Sequence, residues 1–269
     1  MIAWAKFPSR WIKGYAPGEA PNRAELDGAL KQLTWREHRS AATYAILVLI
    51  ALAVLANRAG HASKIRPPAG RVAATYDQLE ELTLVSRRSI SRAIQVLEQV
   101  GALQVDRTGL PNVYTLVGVA TGGDWCKLPQ DYLVKRGPAL QRLGFARQLA
   151  RDKGTLNALK LYVLLLTMRD DKSGVARLGY DKIEAYAGIR REEIQAAISM
   201  LLNNRLCTIV TSEQMDYEPG ERAHNRYRIL GFKAVDVSEE QGLVIDLVRD
   251  LYNDPARLAA GVTTAPTDQ

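Results

Sequence analysis

The sequence is short of the residue types that carry most metal and redox chemistry. Its two cysteines, Cys126 and Cys207, lie in apolar stretches without metal-ligand spacing. They fit small core residues in a reducing compartment rather than a disulfide framework. Three histidines, His38, His61 and His224, stand far apart with no His-x-His pair, which argues against a nicking enzyme that holds a metal through paired histidines. No G-x-x-x-x-G-K-[ST] loop is present, so an ATP-driven motor is not expected. No Ser/His/Asp set or carboxylate pair can be placed. His224-x-Arg226-Tyr227 resembles a recombinase fragment only superficially, because strand alternation puts the tyrosine on the opposite face from the other two. A non-enzymatic protein with no cofactor and no metal is expected.

Aromatics make up 7% of the chain, which suits helices packed through Leu, Ile, Val and Ala. The N-terminus lacks a basic segment followed by an apolar run, so no secretory signal is expected. The most apolar stretch, Ala41 to Ala56, is 16 residues without a charge. That is short of the ~20 a membrane span needs. It reads as a buried helix, with a cytoplasmic protein and no membrane partner as the expectation.

Charge is plentiful and uneven. Residues 1–233 carry 34 Lys+Arg and 22 Asp+Glu, and residues 234–269 carry 2 and 7, so a body of +12 is followed by a tail of −5. A basic body favours a polyanionic partner.

The chain also repeats itself. Trp4-Ala-Lys6-Phe7-Pro8 returns as Trp125-Cys-Lys127-Leu128-Pro129, and Tyr76–Leu103 matches Tyr180–Cys207 at a constant offset of 104, without a gap. Eight of those 28 positions are identical, namely Tyr76/Tyr180, Asp77/Asp181, Glu80/Glu184, Arg87/Arg191, Ile90/Ile194, Ala93/Ala197, Ile94/Ile198 and Leu97/Leu201. Two copies of a small-domain unit are therefore expected, with boundaries at 1–118 and 119–233, followed by an acidic helix and tail at 234–269.

Within each copy the Trp-x-Lys segment reads as a short extended piece at a sheet edge. A long apolar helix follows, Ala41–Ala56 in copy one and Leu159–Met168 in copy two. Pro138–Asp152 reads as a helix leading into the second of these, and Arg58–Ala73 and Asp170–Leu178 read as loops. Thr75–Leu82 predicts a short helix, Thr83-Leu84-Val85 a turn, and Ser86 a cap for the next helix. There Ile90, Ala93, Ile94 and Leu97 form one apolar stripe, and Gly101 ends the helix. Ala102–Val105 and Asn112–Val117 predict a β-hairpin, repeated by Leu206–Thr211 and Asn225–Leu230.

This order, a helix-turn-helix and then a hairpin wing, predicts a mainly α fold with small β-hairpins (α+β), built as two tandem winged helices. Leu84-Val-Ser-Arg-Arg-Ser-Ile-Ser-Arg-Ala-Ile-Gln-Val-Leu97 with Gly101-Ala-Leu resembles the winged-helix domains of plasmid and phage replication proteins and of bacterial regulators. The resemblance implies binding of double-stranded DNA at repeated origin sites and recruitment of host replication proteins. A regulator of a mobile element, with one copy reading DNA and the other forming a homodimer, is an alternative. A winged-helix protein scaffold of chromosome machinery is another.

The face opposite the stripe holds Arg88, Arg92, Gln95 and Gln99, with Ser91 beside them. Ser86 and Arg87 at the start of the helix and Arg107 on the wing complete the candidate contacts of copy one. Arg pairs with guanine O6/N7 and Gln with adenine N6/N7, and the N-terminal turn of such a helix approaches the bases. Copy two offers Arg190, Arg191, Gln195 and Ser199 on the helix, and Arg222, Arg226 and Arg228 on the wing. Its Glu192 and Glu193 repel phosphate, so backbone contact through the wing and a protein-binding role both stay open. Val235–Leu258 predicts an amphipathic helix that packs back on copy two or docks a partner.

Overall fold

The structure, a computed structural model, describes residues 4–13, 28–62, 68–119, 125–134, 137–210 and 225–232. The expected tail helix, Arg222 and His224 lie outside these residues. Copy one runs β1 (Ala5–Pro8), α1 (Arg10–Lys13), α2 (Ala29–Gln32), α3 (Trp35–His38), α4 (Ser40–Ala62), β2 (Arg71–Ala73), α5 (Tyr76–Thr83), α6 (Arg87–Gln99), β3 (Leu103–Asp106) and β4 (Val113–Leu116). Copy two runs β5 (Trp125–Leu128), α7 (Gln130–Leu133), a 3-10 turn (Gln141–Leu143), α8 (Gly144–Gln148), α9 (Lys153–Met168), β6 (Val175–Leu178), α10 (Tyr180–Ala187), α11 (Arg191–Asn203), β7 (Cys207–Ile209) and β8 (Asn225–Ile229). The fold is mixed α and β, with three small antiparallel sheets ordered β1-β5, β2-β4-β3 and β6-β8-β7.

Two segments read from sequence as loops contain strands. β2 lies within Arg58–Ala73 and β6 within Asp170–Leu178, and each adds a third strand to its hairpin. β2 buries one side chain, Val72, which is too little for alternation to register over three residues. The helix read over Pro138–Asp152 is instead a 3-10 turn followed by the short α8.

Local chemistry sets the helix ends. Thr75 accepts from the Gln78 amide at 3.2 Å while the Gln78 side chain accepts from the Thr75 amide at 2.9 Å, a reciprocal capping box that starts α5. Asp152 caps α9 through the Thr155 amide at 3.0 Å. Ser86 occupies the cap position of α6, but its hydroxyl pairs with the Ser89 hydroxyl at 3.2 Å and makes no cap bond. α4 is 23 residues long, and Ser40–Ala59 is long and apolar enough to cross a membrane by length and composition, although 67% of that stretch is buried inside the protein. It packs on α6, α5, α9 and β1, so its apolar residues are consumed by the fold.

The two copies are separate in sequence and interlocked in space, forming one compact unit over Met1–Phe232. β1 pairs with β5 in the register Ala5↔Leu128 to Pro8↔Trp125. That register stacks Trp4 on Trp125 with ring centroids 5.6 Å apart, and sets Lys6 4.7 Å from the Trp125 ring and Lys127 5.7 Å from the Trp4 ring. The repeated Trp-x-Lys thus gives each copy a cation for the other copy's indole. The other face of the ribbon buries Ala5, Phe7 and Leu128 completely.

Arms are exchanged as well. α1 and α2 of copy one pack on α10 of copy two. In the reverse direction the Leu140 amide donates to the Leu82 carbonyl at 2.8 Å. α4 contacts α9 and α8, and Asn57 of α4 donates to the Gln130 side chain at 3.0 Å. Tyr114 and Tyr227, the tyrosines matched between the two hairpins, are fully buried, so Tyr227 is a packing residue.

Candidate nucleic-acid interface

In copy one, α5 and α6 meet at a tight turn whose Leu84 adopts the left-handed conformation, φ 54°. α6 buries Ile90, Ala93, Ile94, Val96 and Leu97. Its other side exposes Ser86, Arg87, Arg88, Arg92, Gln95 and Gln99, with Ser91 half-buried beside them. Arg88, Arg92, Gln95 and Gln99 share one face of α6, while Ser86 precedes the helix and Arg87 and Ser91 lie to the side of that face.

They are not equally available. Arg87 is held by Asp77 and reaches Glu80 at 3.5 Å. Arg88, Arg92 and Gln95 take no ion pair or hydrogen bond among the described residues. A guanidinium with no partner in its own chain keeps all five donors for a ligand. Arg107 leaves the wing and grips Glu98 of α6 through two parallel bonds of 2.8 and 2.5 Å. These bonds hold its guanidinium above the usual arginine range. Arg107 thereby ties the β3–β4 hairpin to α6.

Copy two repeats the frame with a different surface. Arg190, Arg191, Glu192 and Gln195 are exposed on α11 and Ser199 is half-buried. Arg191 pairs with Asp181 at 2.9 Å and lies 5.7 Å from the Tyr180 ring. Gln195 accepts from the Tyr180 hydroxyl at 2.9 Å, and the Ser199 hydroxyl donates to the Gln195 carbonyl at 3.0 Å. Arg190 stands 3.9 Å from Glu192. Glu193 turns inward to Lys153 and accepts from Asn157 at 3.1 Å. Burial pushes the Glu193 carboxyl up, but these two donors outweigh it and leave the group below the usual glutamate range. On β8, Arg226 and Arg228 share the sheet face opposite buried Tyr227 and Ile229, and Arg177 of β6 stands opposite Arg226 in the register.

Several basic residues here were not singled out from sequence: Arg36, Arg39, Lys153, Lys160 and Arg177. The run Trp35-Arg-Glu-His-Arg39 carried a visible signal, two arginines just before the long helix. A cleft of about 390 Å³ lies between that segment and α6, lined by Arg39, Ser40, Tyr44, Arg92, Gln95 and Gln99 among others. No group of three or more metal-ligating side chains gathers among the described residues. Comparison with family models, with curated proteins and with solved structures gives no match to this chain.

Proposed function

We propose that this protein binds double-stranded DNA through tandem winged helices, with α6 of copy one as the base-reading helix. The observation that carries the reading is the exposed row Arg88, Arg92 and Gln95, on a helix held by a helix-turn-helix and backed by a three-stranded wing. Arg and Gln at such positions match the major-groove edges of guanine and adenine. The basic body supplies the phosphate attraction that would make binding fall steeply with salt.

The preferred biological role is that of a plasmid or phage replication initiator acting on repeated origin sites, with host replication proteins as partners. This rests on the resemblance of residues 84–103, and on the gain in affinity when two linked modules engage one DNA. A transcriptional regulator is the second reading. The tethered surface of α11, where Arg191 and Gln195 already have partners, favours a copy two that contributes less to base reading, as that role also requires.

Mobility-shift and footprinting on the DNA flanking the gene, at low and physiological salt with competitor, tests both. A protected array of direct repeats is expected for the initiator, and one palindromic site for the regulator. No specific complex at either salt contradicts DNA binding.

A further inference from the structure

Between the two copies lies a second cleft, of about 320 Å³, whose charge is strongly one-sided. Its lining includes Arg36, Arg39, Lys153, Lys160 and Arg190, against the single carboxylate of Glu193. Arg36 and Arg39 are exposed and have no ion-pair partner among the described residues. Lys160 is 3% exposed and donates to the Leu33 carbonyl at 3.1 Å, which leaves a primary amine at the floor of the cleft with donors beyond that one bond. Arg39 lines this cleft and also the one beside α6, which Arg92 and Gln95 line. Arg39 thus borders both clefts, one reaching the face of α6 and the other the start of α11. Of the acids lining them, Glu37 lies 3.8 Å from His38, and Glu193 is already satisfied by Lys153 and Asn157.

We infer that the cleft between the copies is a phosphate seat, in which Arg36 and Arg39, with Arg190 at the start of α11, hold the sugar-phosphate backbone of the duplex whose bases α6 reads. The inference rests on the DNA-binding reading above and adds to it a defined role for copy two. The start of α11, rather than its outer face, meets the DNA there, and contact is with the backbone. Such contacts set register and orientation and carry no sequence information. Arg suits this work because its planar fork matches phosphate oxygens two at a time. The same chemistry would accept the phosphates of a free nucleotide, so the experiment separates the two sources.

The full chain, wild type and as R36A/R39A, R36K/R39K and R88A/R92A, is titrated with a random-sequence 20-base-pair duplex over a series of salt concentrations. Each is titrated with ATP in parallel. Each seated phosphate contributes about 0.9 to the slope of log K against log salt. R36A/R39A is expected to flatten that slope by about 1 to 2 and to weaken duplex binding about 10-fold or more at low salt. R36K/R39K should recover most of the slope, and thermal unfolding should be unchanged, since both arginines are exposed. A wild-type slope in R36A/R39A, with binding lost in R88A/R92A, overturns the phosphate seat and spares the reading of α6. ATP binding that R36A/R39A abolishes, with duplex binding untouched, overturns the backbone assignment in favour of a mononucleotide site. Absence of duplex binding by the wild-type chain overturns both.

Discussion

The two copies keep one backbone and differ in what they put on it. Leu84 and Gly188 hold the same left-handed position in the turn before α6 and α11, with φ 54° and 62°. Gly101 and Arg205 hold the same left-handed position after those helices, with φ 71° and 54°. At each pair one copy uses glycine and the other a residue that strains to follow it, so the geometry has been kept while the side chain drifted. The surfaces diverge much further. Both helices tie their first arginine to α5 or α10, Arg87 to Asp77 and Arg191 to Asp181, but α6 goes on to expose Arg88, Arg92 and Gln95, without partners among the described residues, where α11 has Glu192, Ala196 and Ser199. The two copies share the scaffold and differ in the polar groups their helix faces carry.

The comparison can be broken most severely at the ribbon that joins the copies. Phe7 is fully buried on β1, and Phe7→Ala is expected to cost about 3–5 kcal/mol. Because β1 belongs to both copies through β5, urea unfolding should lose stability in one transition reported equally by probes in either copy. Two separated transitions would show that the copies fold independently.

Lys160 links the copies through the Leu33 carbonyl and gives a pH test. Burial, with a smaller push from Lys153, draws its ammonium down to about 7 from an ordinary 10.5. The unfolded chain therefore holds more protons than the native one between those values, and stability should rise with pH over that window. The slope is expected to reach ~1.4 kcal/mol per pH unit at most. Below about pH 7 the penalty for charging the buried amine is fully present. Lys160→Met should flatten the slope in urea titrations at successive pH values; an unchanged slope would place the titrating group elsewhere.

Much of the scaffold was legible in the sequence, for physical reasons that can be named. The Ile90/Ala93/Ile94/Leu97 stripe and Gly101 each act within one or two turns of chain, where periodicity and capping chemistry are local. What escaped was long-range. β1 and β5 pair across 120 residues of chain (Ala5 to Trp125), and nothing in a Trp-x-Lys segment says that its partner is its own repeat. The exchange of arms onto α10 and α5 was hidden for the same reason. At the candidate site, the helix face was readable from a 100° projection, but the tethering of Arg87 and Arg191 was not recognised. Their carboxylate partners Asp77 and Asp181 are themselves identical positions of the repeat. The ion pair recurs in both copies while the exposed face around it differs. The pairing of Arg107 with Glu98 was not legible, because Glu98 sits on a neighbouring element that sequence spacing does not orient.

The role of the recurring pair is itself testable. Arg87→Ala should change DNA affinity and stability by less than about 1 kcal/mol, the usual worth of an exposed ion pair, in a fluorescence anisotropy titration and a thermal melt. A loss as large as that from Arg88→Ala would make Arg87 a contact residue. The smallest effect concerns the backbone. Leu84→Gly, which gives copy one the residue copy two already has, should relieve left-handed strain and raise stability by up to ~1 kcal/mol. The converse change, Gly188→Ala, should lower it, since a Cβ there would meet the Lys31 side chain at 3.1 Å.

The account turns on α6 being the reader and α11 not. The most direct measurement is the specific-over-random DNA affinity ratio of R88A/R92A beside that of R191A/Q195A, both in the full chain. The account predicts that the first pair collapses the ratio, each arginine carrying ~1–3 kcal/mol of base contact, while the second leaves it within a few-fold of wild type. Equal losses, or a larger loss from the α11 pair, would contradict it.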